Sequence, residues 1–172
     1  MSLLTEQDAL LYRQIIDYLV ELGYVPQKQK VRGYVLSFRH GQSNKVIAKA
    51  GVSGGKDKRP FVSIKFFDCK SVPVKYCEAL RHEIESHGGR YCGPLRSNIR
   101  KNACGRCPPC TGDGLGYYYV HPDGREVLRC GAYPIVIPDL TPHDIDHMKQ
   151  LILEQHSYFL SMSEAVSHGG NV

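Results

Sequence analysis

The chain has 172 residues, near the size of one domain, and its 42% hydrophobic and 23% charged residues suit a globular protein that buries its own core. No apolar run approaches the roughly 18–20 residues that cross a bilayer. The first residues, Met1-Ser2-Leu3-Leu4-Thr5-Glu6, lack the basic segment and long apolar stretch of a secretory signal, so a cytoplasmic location without a membrane partner is expected.

Taken in chain order, the first predicted element is a helix over about Thr5 to Leu22. Thr5 is its N-cap and Asp8 a weak capping-box partner; Leu11, Ile15, Tyr18, Leu19 and Leu22 recur at helical spacing, and Gly23 ends it in a left-handed turn. Strand-like stretches follow at Val31–Phe38, Lys45–Ala50 and Phe61–Phe67, with His40-Gly41-Gln42-Ser43 as a hairpin turn. In the third stretch Val62, Ile64 and Phe66 alternate against Ser63 and Lys65, the pattern of a half-buried strand. A second helix is predicted over Val72–His87, with Ser71 as cap, Pro73 in its first turn and Gly88-Gly89 as its stop; Cys77, Leu80 and Ile84 form its buried stripe.

After a cysteine-rich loop, Leu115–Val120 and Arg125–Cys130 form a hairpin around Pro122-Asp123-Gly124, and a short strand, Tyr133–Ile137, comes next. The last helix has the clearest start: Thr141 as N-cap, Pro142 at the first helical position, Asp144 in the capping box, and Leu140 and Ile145 as a hydrophobic staple. Ile145, Met148, Ile152 and Phe159 fall on one face of it, and the tail from Ser163 is expected to fray. Helices and strands are segregated along the chain. The order predicts an α+β fold: a mainly antiparallel sheet covered by helices, in one domain over 1–162, with a metal-binding insert of loop and hairpin at about 92–130 and a disordered tail at 163–172.

Seven cysteines in a chain without a secretory signal point to metal or redox chemistry before disulfides. Cys104-Gly-Arg-Cys107-Pro-Pro-Cys110 offers three thiolates at two-residue intervals, a spacing that lets flanking sulfurs reach one ion. The hairpin returns a fourth, Cys130, which the turn at Asp123-Gly124 sets roughly opposite Tyr117. The segment resembles zinc-knuckle and zinc-ribbon motifs, although its second half holds one cysteine instead of a pair; that leaves Cys92 and His121 as substitute ligands. Four thiolates leave zinc no open position, so such an ion is structural and not catalytic. An iron–sulfur cluster, the mark of a redox protein, has similar spacing, but the proline follows Cys107 here and no companion cofactor motif is present. Cys69 and Cys77 read as core residues.

The net charge of +5 is unevenly distributed. Between Lys28 and Arg59 stand nine Lys or Arg against one acid, Asp57, and Arg90–Arg106 adds five cations with no acid. Solvated strand faces account for this blandly; the functional alternative is a surface for a polyanion or nucleic acid. Gly51-Val-Ser-Gly54-Gly55-Lys56-Asp57 falls one residue short of a phosphate-binding P-loop, and Asp57 replaces the hydroxyl that would reach magnesium. Lys45, Lys49, Lys56, Lys58 and Arg59 nevertheless remain candidate anion ligands. His82 and His87 lie five apart and cannot share a helix face, whereas His143 and His147, four apart, make an exposed pair opposite Ile145. Tyr117, Tyr118 and Tyr119 read as strand packing before base stacking. No catalytic set can be assembled, so the expected function is a non-enzymatic binding module of unknown ligand, stabilised by structural zinc.

Overall fold

A computed structural model describes residues 5–42, 44–54, 59–66, 74–87, 116–120, 124, 126–131, 134–137 and 139–168. The elements are α1 (Glu6–Glu21), β1 (Tyr24–Lys28), β2 (Gly33–His40), β3 (Val46–Ser53), β4 (Pro60–Ile64), α2 (Val74–His87), β5 (Gly116–Val120), β6 (Glu126–Cys130), β7 (Ile135–Ile137) and α3 (Asp144–His168). Five strands form one antiparallel sheet in the order β1-β2-β3-β4-β7, and β5 pairs with β6 in a separate two-stranded sheet. The α+β class and the antiparallel sheet agree with expectation. None of the described helices is long and apolar enough to cross a membrane.

The helix ends follow from local chemistry. Thr5 caps α1 by accepting the Asp8 amide at 3.1 Å, and Gly23, at φ +84°, turns the chain directly into β1. At the start of α3 the Asp144 carboxylate accepts from the Thr141 amide at 2.7 Å and from its hydroxyl at 2.6 Å. Lys75 of α2 reaches the same carboxylate at 2.9 Å and also donates to the Asp139 carbonyl, which fastens two helix starts together. Burial alone would raise the Asp144 pKa, but the Thr141 hydroxyl, Lys75 and the Thr141 amide together hold it below its ordinary value. Helix α3 continues through 163–168 where a frayed tail was expected; nothing in that stretch breaks a helix until Gly169-Gly170.

Strand β1 has no counterpart among the predicted strands. Its sequence, Tyr-Val-Pro-Gln-Lys, buries only Tyr24 and contains a proline, which sequence patterning counts against a strand. The ladder resolves the conflict. The Gln29 amide donates to the Val35 carbonyl and the Gly41 amide to the Gly23 carbonyl, so the odd-numbered positions of β1 carry the hydrogen bonds to β2. Pro26 sits at an even position of an edge strand, and its missing N–H faces away from the sheet.

The core lies between one face of the sheet and the helices. Phe38, Ala48, Ala50, Val62, Ile64, Ile135 and Ile137 meet Leu11, Ile15 and Leu19 of α1, Tyr76 and Leu80 of α2, and Ile145, Met148, Leu151, Ile152 and Phe159 of α3. Among the described side chains of α2, Tyr76 and Leu80 are buried and Cys77 is only half-buried; the Ile84 side chain lies outside them. The Tyr76 hydroxyl donates to the Ile64 carbonyl at 2.9 Å and its ring meets Phe66 edge-on at 5.6 Å. Near the sheet's β1 edge, the rings of Tyr24, His40 and His156 form a mutual edge-to-face cluster with centroids 5.1, 5.7 and 5.4 Å apart. Burial, then the neighbouring His40, lowers the His156 pKa from 6.5, and burial raises that of Tyr24. On α1 the buried Tyr12 hydroxyl has no hydrogen-bond partner among the described residues; burial, then Asp8 and Asp139, push its pKa up to about 12.

Candidate anion-binding face

Alternation along the strands settles what the other face of the sheet carries. Because Phe38, Ala48 and Val62 point into the core, their chain neighbours point away from the helices. The register aligns five such positions in one row across the whole sheet: Gln27, Ser37, Lys49, Ser63 and Val136. Ser37 and Ser63 are buried on either side of Lys49, whose side chain is half-buried and makes no hydrogen bond or ion pair among the described residues.

One pleat further along the parallel-running β2 and β4 lines come Arg39 and Lys65. Between them β3 is bulged: Phe38 pairs with Ala48 but Arg39 with Val46, so Ile47 is an extra residue, and its carbonyl accepts the Lys65 amide at 2.9 Å. Strand spacing and rise set the backbone positions of Arg39, Lys49 and Lys65 at the corners of a triangle with sides of about 8–10 Å. Arg39 is held in place by the turn after β2: its Nη1 donates to the Asn44 carbonyl at 2.7 Å and to Asn44 Oδ1 at 3.2 Å, with Asn44 at φ 54°. Gln29 donates to Ser37 Oγ at 2.6 Å beside them.

These groups line an open cleft of about 340 Å³ whose walls include Gln29, Ser37, Arg39, Lys49, Lys65 and Pro134. Strands β1–β4 contain no Asp or Glu, so no carboxylate of these strands offsets the three cations. The side chains of the cleft suit an anion: three cations, beside a Gln29 amide and a Ser37 hydroxyl that bond to each other and to the Gln27 carbonyl. Two rows away on β4, Phe61 occupies the same face, half-buried, opposite Gly51 on β3.

Of the expected anion ligands, Lys49 lies in the cleft; Lys45 is exposed just before β3 and Arg59 just before β4, and neither lines it. Lys56 and Lys58 lie outside the described residues. Arg39, Lys65, Ser37 and Gln29 were missed. A run of cations says nothing about which share a face; Lys65 was visible through its alternation with Ile64 and Phe66, but Arg39 was hidden by the bulge and the turn. The expected metal ligands Cys104, Cys107 and Cys110, and the substitutes Cys92 and His121, fall outside the described residues, as does Cys69. Cys130 ends β6 and pairs with Gly116, not Tyr117, because the hairpin is centred on Asp123 and not between Asp123 and Gly124. Among the described residues no three His, Cys, Asp or Glu side chains come together as a metal site, and His143 and His147 are both exposed.

No protein-family model, curated protein or solved structure matches the chain. The reading of this face therefore rests on its own geometry.

Proposed function

We propose that the protein is a non-enzymatic binding module that holds a phosphate-bearing ligand on the open face of its sheet. The observation that carries this reading is the triangle of Arg39, Lys49 and Lys65 around a cleft with no acid on the four strands beneath it. Arg39 is pre-oriented by Asn44, which reduces the ordering cost of binding. Gln29 and Ser37, hydrogen-bonded to each other and to the Gln27 carbonyl, fix the wall of the cleft beside Arg39. Titration with inorganic polyphosphate tests it. Affinity should fall steeply between about 50 and 200 mM salt, as expected when counterions are released, and Lys49→Glu with Lys65→Glu should abolish binding. Absence of binding at about 50 mM salt, or binding indifferent to the double substitution, would overturn the reading.

Structural zinc on Cys104, Cys107, Cys110 and Cys130 is the second part of the proposal. What supports it is the sequence spacing together with the hairpin register: Cys110 precedes Gly116, the partner of Cys130, by six residues, a span of at most about 20 Å that a folded loop closes easily. Elemental analysis of anaerobically purified protein should find one zinc per chain. A brown protein containing iron would replace zinc with an iron–sulfur cluster, and neither metal would remove this part.

A further inference from the structure

We infer that the phosphate-bearing ligand is a single-stranded nucleic acid, with one base stacked on Phe61 and successive phosphates over Lys49 and the Arg39–Lys65 pair. The inference rests on the anion-binding reading of the same face and adds a base-recognition position to it. Phe61, Ser63 and Lys65 follow one another along one side of β4, two residues apart, so each step advances about 6.6–6.8 Å. Lys49 stands directly across from Ser63, and Arg39 lies on β2 at the level of Lys65. An aromatic ring, a first cation and a cation pair thus succeed each other in one direction. That is the order in which an extended strand presents a base and the phosphates that follow it.

Two further features favour this occupant. The cleft, about 340 Å³, has room for more than a lone phosphate, and Phe61 stands outside it, one pleat beyond Ser63 on β4. The three described helices pack on the other side of the sheet, so among the described residues no helix is presented here for a duplex groove, whereas a strand face with an aromatic platform and cations is suited to unpaired bases. Stacking on a phenyl ring tolerates any base, so sequence selectivity is weak.

The test compares a fluorescent fifteen-nucleotide single strand, the same sequence as a duplex, and inorganic polyphosphate, all titrated into the full chain at about 50 mM salt. The single strand is expected to bind more tightly than the duplex. Phe61→Ala should weaken single-strand binding by about five- to a hundred-fold while leaving polyphosphate binding unchanged. Phe61→Tyr, which keeps the ring, should retain it, and Phe61→Leu, which keeps apolar bulk to guard the fold, should not. Polyphosphate binding without single-strand binding, or single-strand binding unaffected by Phe61→Leu, would overturn this inference and leave the anion-binding reading standing. Loss of all three ligands in the unsubstituted protein would remove both.

Discussion

The phenolic oxygen of Tyr24 lies 3.3 Å from Nδ1 of His156, joining the edge strand β1 to the last helix across 132 positions of the chain. Tyr24 is buried at 1% exposure, and His40 closes the third side of the ring cluster. A proton added to His156 therefore enters a site where burial and a second imidazole both disfavour charge.

The first prediction is the pH dependence that follows. The folded pKa of His156 lies below its ordinary value of 6.5, so the unfolded chain binds the proton more tightly. The contribution is present above the unfolded pKa and is lost as pH falls through 6.5 toward the lowered folded value. Thermal melts should show the protein losing stability between about pH 7 and pH 5, and His156→Gln should flatten that slope. An unchanged slope in the variant would assign the effect to other groups.

Tyr12 provides a test of opposite sign. Its hydroxyl is desolvated without a hydrogen bond among the described residues, a cost with no compensating gain. Tyr12→Phe should leave stability unchanged or raise it by up to about 1 kcal/mol in urea unfolding. A loss of about 2 kcal/mol or more would reveal a hydrogen bond that the hydroxyl makes.

A third prediction separates the two parts of the α2–α3 junction. Asp144→Ala removes a cap as well as an ion pair and should cost about 1–2 kcal/mol. Lys75→Met removes an ion pair whose side chains are 27% and 17% exposed, together with the hydrogen bond to the Asp139 carbonyl, but leaves the cap in place, and should cost less than about 1 kcal/mol. Because Asp144 titrates below its ordinary value of 3.8, its contribution persists above that pH and is lost as acid protonates the folded carboxylate. Equal costs for the two substitutions would show that the cap contributes nothing.

The fourth concerns the proposed metal. Cys107→Ser and Cys130→Ser should each destabilise by several kcal/mol, since binding energy of a structural ion is partly folding energy. Cys77→Ser, at a half-buried position on α2, should cost on the order of 1–2 kcal/mol. Equal melting losses in all three would contradict the ligand assignment.

The parts of the fold visible in the sequence were those governed by local rules. Thr5 and Gly23 bounded α1, and Thr141 with Asp144 marked the start of α3, because caps act within four residues of chain. Alternation at Val62, Ile64 and Phe66 gave the buried side of β4 and, by subtraction, the opposite side with Ser63 and Lys65. Strand β1 was illegible because its polar, proline-bearing sequence acquires meaning only from the neighbour that supplies its hydrogen bonds. The cation triangle was hidden for a related reason: Arg39 reaches Lys49 and Lys65 through the register of three strands, and the extra residue Ile47 shifts that register. Charge counts along a chain carry no such information.

Pro26 has a consequence for how copies of the protein meet. A sheet edge is a template: an incoming strand joins it by pairing with the outward-facing amides and carbonyls. On β1 the outward amide at the strand's centre does not exist, and the flanking outward positions, Tyr24 and Lys28, bracket the gap. At the other edge β7 offers only three residues. Among the described residues neither border gives a second chain a continuous run of partners, so the sheet resists growing sideways into fibrils.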